Sequence, residues 1–174
     1  MSQNDPFSRL PDVPRFDLTS ADVADGQPMP VAQASAAMGV PGGEDRSPQL
    51  SWSGFPAGTR SFAVQMYDPD APTLSGFWHW TVAGIPASVT SLESGAALPA
   101  GAVAYRNDAG EPGYIGAAPP AGHGPHRYFL VVSALDTESL GLPDAASAAY
   151  VGFTVSAHVL ARAVLVPTFE TPAG

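Results

Sequence analysis

Residues 60–86 read RSFAVQMYDPDAPTLSGFWHWTVAGIP, and this stretch decides the fold. In its first part Phe62, Val64 and Met66 alternate with Ala63, Gln65 and Tyr67, the period of two that predicts a half-buried strand. The DPDAP that follows is turn chemistry: an aspartate side chain accepts from amides just downstream, and proline fixes the next φ. Residues 77–86 then predict a second strand, with Trp78, Trp80 and Val82 on one face and His79 and Thr81 on the other. Two strands are thus joined by a turn carrying two carboxylates, with a histidine between tryptophans close behind.

A third strand, HRYFLVVSALD (126–136), is apolar nearly throughout, as a central strand covered on both faces is. His126 and Tyr128 share a face of it. Upstream, RFDLTSADVADGQPMP (15–30) predicts a strand and a hairpin turn at Asp25-Gly26, and MGVPGGEDRSPQL (38–50) a loop. Near the end, in AYVGFTVSAHVLARAVLV (149–166), Phe153, Ala157, Leu160, Ala161 and Val164 recur at three- and four-residue steps; this predicts a C-terminal helix stopped by Pro167. A short helical turn is expected in TESLGLPDAAS (137–147). The sum is a mainly β sandwich with a few peripheral helices.

At 174 residues the chain suits one domain, read as residues 16–174 behind an N-terminal arm of residues 1–15. Hydrophobic residues make up 45% and charged ones 13%, the balance of a folded globule rather than a disordered chain. A net charge of −9 from 16 acidic and 7 basic residues argues against nucleic acid as a partner, since few cations are available to neutralise phosphates. No apolar run is long enough to span a bilayer, and the start lacks the basic-then-apolar layout of a secretory signal, so a cytoplasmic location is expected. With no cysteine, disulfides and thiolate chemistry are excluded.

Ser53 in SWSGF and Ser75 in TLSGF lack the G-x-S-x-G elbow of a serine hydrolase. His123 and His126 are spaced as H-x-x-H, but Gly124-Pro125 between them forbids the helix that would align two metal-binding rings. No phosphate-cradling glycine loop is present, and no cofactor is expected. Short polar residues at strand ends, histidines on two strands and the proline loop PPAGHGPHRY (119–128) argue together for one pocket.

Three stretches resemble the phosphatidylethanolamine-binding proteins, in their bacterial Raf-kinase-inhibitor-like branch: residues 47–86 with D-P-D-A-P and H-W, residues 107–128 with P-P and H-R-Y, and more loosely AHVLARAVL (157–165). The resemblance implies an antiparallel β-sandwich with a shallow anion pocket at one end and, in bacterial relatives, a homodimer. Carried over by position, the pocket comprises Asp68, Asp70, Trp78, His79, Gly116, Ala117, Ala118, Pro119, Pro120, His126 and Tyr128. Its ligands would be small anionic or phosphorylated molecules; a kinase partner is implied only through some relatives. Where bacterial relatives commonly have G-P-x-P-P, this chain has Gly116-Ala117-Ala118-Pro119-Pro120, so Ala117 brings an N–H that proline lacks, expected to serve as an anion donor.

On this reading Asp70 accepts from His79 or His126 and raises its pKa, so that affinity for phosphate rises as pH falls through about 6.5, and Trp78 forms an apolar lip. Binding is favoured over catalysis; the alternative is an enzyme using His79 or His126 as general acid-base.

Overall fold

The computed structural model describes residues 5–173. In chain order the strands are β1 (Asp17–Thr19), β2 (Leu50–Ser53), β3 (Ser61–Asp68), β4 (Phe77–Pro86), β5 (Ser91–Leu92), β6 (Val103–Ala104), β7 (His126–Arg127), β8 (Phe129–Leu135), β9 (Val159–Leu165) and β10 (Thr168–Phe169), with one α-helix, α1 (Ala148–His158), before β9. A five-stranded antiparallel sheet runs β6-β4-β3-β8-β9; a three-stranded sheet runs β1-β2-β5; β7 and β10 form a two-stranded ribbon. The fold is mainly β and antiparallel, as expected.

The two larger sheets enclose the main core. Phe62, Val64 and Met66 of β3, Leu130 and Val132 of β8, and Trp80 and Val82 of β4 meet Leu18, Leu50, Trp52 and Leu92 of the smaller sheet. Sheet faces pack this way because each carries an apolar row that water would otherwise cover. The opposite face of the large sheet has its own cluster, in which Ala63, Ala83 and Leu135 meet Val151 and Val155 of α1. β3 is therefore buried on both faces, not on one as its alternation predicts: Gln65 hides beneath α1 and its loops.

The C-terminal segment departs most from the periodicity. Ser147 caps α1 by accepting from the Tyr150 N–H at 3.2 Å, and Ala148, Val151 and Val155 form its buried face. Phe153, expected in the core, is 74% exposed. The helix ends at His158, nine residues before Pro167, because β8 offers an unpaired row of amides and carbonyls that must be satisfied. Residues 159–165 answer that demand as β9, from Leu130 opposite Leu165 to Leu135 opposite Val159. Asp25-Gly26 does turn, with Gly26 at φ +69°, but it makes no hairpin: β1 pairs with β2, far along the chain. Residues 137–147 hold turns rather than a helix.

Candidate functional site

One residue in β4 sets the geometry of the site. Tyr67 lies opposite Trp78 and Met66 opposite Trp80, which leaves His79 as an extra, unpaired residue, a β-bulge. The bulge breaks the alternation, so Trp78 and Trp80 fall on opposite faces. Trp80 enters the main core. Trp78 instead lies against the Tyr67 ring at 4.6 Å between centroids, beneath Gly152 of α1. His79 and Phe77, with centroids 4.7 Å apart, turn toward the end of the sandwich where the DPDAP turn lies.

There a hollow of about 220 Å³ opens, lined by Asp68, Pro72, Thr73, Phe77, His79, Ala118, Pro119, Pro120, His126 and Tyr128, with Met38 at its mouth. Gly76 lets the turn close over it: at φ +69° a Cβ would stand 2.3 Å from the Tyr67 hydroxyl and 2.6 Å from the Asp68 carbonyl.

The two aspartates have separate tasks. Asp68 is buried; its Oδ1 accepts from the N–H of Asp70 at 2.7 Å and of Ala71 at 3.1 Å, and its Oδ2 takes Nδ1–H of His126 at 2.7 Å. Every contact spends its charge within the turn and on the imidazole, so it orients His126 instead of repelling an anion. Asp70 faces away from the hollow and grips Arg127 bidentately, at 2.8 Å to Nε and 2.7 Å to Nη2, while accepting the Arg127 amide at 3.0 Å. Those bonds from Arg127 hold the Asp70 carboxyl below the usual carboxylate range. The expected Asp70–histidine bond is thus replaced by Asp68–His126, because the tight turn directs the first aspartate inward and the second toward β7.

The histidines differ as well. Nδ1 of His79 lies 3.0 Å from the Ile115 carbonyl, which fixes Nδ1–H as donor and leaves Nε2 toward the hollow as an acceptor. Burial pushes its pKa below the ordinary histidine value against the pull of that carbonyl and of Asp68, which favours the neutral ring. His126 Nε2 lies 2.7 Å from Nδ1 of His123, a residue absent from the expected site; the H-x-x-H spacing was its signal, and the loop brings the two rings together without a helix. Among the described residues no group of three or more metal-binding side chains occurs.

Tyr128 is fully buried, lines the hollow, and has a hydroxyl without a hydrogen-bond partner among the described residues. Burial raises its pKa, so it stays a neutral donor. The loop behind it is held from outside: the Gly116 N–H donates to Asp45 Oδ1 at 2.8 Å, and the Ala117 N–H to the Gln33 carbonyl at 3.2 Å. Gly116 fits because a Cβ there would lie 2.3 Å from the Ala34 carbonyl carbon. The expected anion donor at Ala117 is therefore engaged elsewhere. Of the residues expected at the site, the structure gathers Asp68, His79, Ala118, Pro119, Pro120, His126 and Tyr128 around the hollow; Gly116 and Ala117 support it from behind, Asp70 braces its rim, and Trp78 lies on the other face of the sheet. Phe77 and Met38 supply the apolar lip assigned to Trp78.

A β-sandwich with such an end pocket defines a class, and comparison with known proteins places the chain in it. Residues 19–170 match the family model described as phosphatidylethanolamine-binding protein. YbcL of Escherichia coli K12 is 45% identical over 161 residues, covering 89% of this chain and 87% of that protein, and YbhB of the same strain is 45% identical over 158 residues, covering 88% and 99%. The crystal structure of E. coli YBCL superposes with a TM-score of 0.86 at 44% identity, over 90% of this chain and 98% of that one. The chain belongs to the phosphatidylethanolamine-binding protein family.

Proposed function

We propose that the protein binds a compact anion, a carboxylate or phosphate on a small organic group, in the hollow between the DPDAP turn and the Ala118–Pro120 loop. The observation that carries this reading is the fully buried Tyr128 hydroxyl with no partner, because a buried polar group left unpaired is costly unless something arrives to complete it. His79 Nε2, an acceptor in the neutral ring, takes up a proton with the ligand and then donates to it. Phe77, Met38 and the prolines cover the organic part.

The test is calorimetric titration of acetate, phosphate and phosphoethanolamine into the wild type and Tyr128→Phe. A hydrogen bond to a charged ligand is worth about 1.5–3 kcal/mol, so the variant should bind at least about tenfold more weakly; equal affinity would overturn the proposal. Proton uptake should appear as a dependence of the measured heat on buffer ionisation.

A second reading, acid–base catalysis, is favoured by the hydrogen-bonded series Asp68, His126, His123, which runs from a buried carboxylate to an exposed ring. Turnover of a small phosphomonoester that disappears in His123→Asn would support it. Modulation of a kinase rests on resemblance alone and adds no residue to the site, and a homodimer is to be tested by light scattering. Among the described residues no helix is long and apolar enough to cross a membrane. The cytoplasmic location expected from the sequence is to be checked by cell fractionation, since a Mycobacterium tuberculosis relative, LppC, 35% identical over 154 residues, carries a lipoprotein name.

A further inference from the structure

The face of the large sheet that Trp78 joins carries a second hollow, of about 770 Å³, between α1 and residues 5–11. Its walls are aromatic. Tyr67 and Trp78 lie together on one side, and Phe7 meets Phe129 edge-on at 5.8 Å on the other. The floor is polar: Ser133 of β8 stands opposite Arg162 of β9, and Gln65 of β3 lies diagonal to Ser133 on the same face.

One floor group lacks a hydrogen-bond partner and a second lacks a counter-ion. Gln65 is 7% exposed and its Nε2 has no hydrogen-bond partner among the described residues. Arg162 is 6% exposed; Nη1 donates to the Pro11 carbonyl at 2.7 Å, yet the guanidinium forms no ion pair among the described residues. Buried charges are ordinarily paired, because an ion loses hydration on leaving water. Scarcity of acids does not explain the omission in a chain with 16 of them against 7 cations. Arg15 nearby disfavours the charge further and Asp12 favours it, while Asp5 and Arg9 flank the opening with opposite signs.

We infer that this hollow binds an amphipathic carboxylate, its apolar body between the aromatic walls and its head on the Arg162 guanidinium, with Gln65 and Ser133 beside it. The volume falls within the range of small-molecule sites, as does a mostly apolar wall with a few convergent polar groups. One planar guanidinium matches one carboxylate in a two-pronged bond. This site shares no lining residue with the Tyr128 hollow.

Naphthoate and its neutral counterpart naphthylmethanol, titrated in saturating acetate and followed by tryptophan fluorescence and calorimetry, test the assignment. Arg162→Gln removes the charge and leaves a shorter polar side chain; naphthoate affinity should fall at least tenfold, with naphthylmethanol unchanged. Phe153→Ser, at an exposed position on α1 that does not depend on the core, should weaken both ligands at least threefold. Failure of naphthoate to bind the wild type in acetate, equal naphthoate affinity in Arg162→Gln, or loss of binding in Tyr128→Phe instead would overturn the inference. Should Arg162→Gln not fold, unchanged binding of both ligands to Phe153→Ser overturns it alone.

Discussion

Side chains in the Tyr128 hollow divide into those that complete one another and those that wait for a ligand, and substitution separates them. Asp68→Ala strands the His126 imidazole and two turn amides in a buried place, so it should cost about 3 kcal/mol by urea denaturation. Asp70→Ala breaks a partly exposed pair and should cost about 1 kcal/mol or less. Tyr128→Phe runs the other way: removing an unpartnered buried hydroxyl should leave the empty protein as stable or more stable, while anion binding declines. His79 provides the pH dependence. Its folded pKa lies below the ordinary value, so unfolding takes up a proton once the pH drops below about 6.5, and stability is lost from there down to its lowered pKa. His79→Gln should flatten that limb of a melting-temperature profile; an identical profile would show that the ring is not held neutral. At this scale the sequence named both aspartates and the two strand histidines but not their pairing. Both aspartates of DPDAP suit a histidine partner, and only the turn's backbone decides which one faces inward.

Among the elements, β3, β4 and β8 were legible because each holds a run of apolar or alternating residues. The bulge at His79 was not, since an extra residue leaves no local mark; only the register against Met66 and Tyr67 exposes it. A helix within residues 149–166 was legible, but not its buried face, since Phe153 and Ala157 of the expected stripe are exposed, nor its end, where β8 needs a neighbour more than the helix needs another turn. In β9 Ala161 and Ala163 both enter the main core while Arg162 points away, a period of two that the three-and-four spacing concealed. Ala161→Leu and Ala163→Leu should therefore each destabilise by about 1–3 kcal/mol through overpacking, whereas Val164→Leu, half-buried, should stay within about 0.5 kcal/mol. Equal effects at 161 and 164 would restore the helical reading.

Across the whole molecule, a net charge of −9 opposes any anion before it reaches a donor. Screening shortens that opposition to about 10 Å at 0.1 M salt. Affinity for phosphate should therefore rise, not fall, as inert salt is raised from about 0.02 to 0.2 M, the reverse of a basic anion site; a falling affinity in calorimetry would mean that local cations dominate. One feature of β4 separates the two chambers of the molecule. The supernumerary His79 interrupts a ladder whose neighbouring pairs, Tyr67 with Trp78 and Met66 with Trp80, would otherwise follow one another, so a chain shortened by that single residue would leave the two tryptophans adjacent and still on opposite faces. The aromatic wall beneath α1 would survive, and the chamber by the DPDAP turn would lose the His79 imidazole.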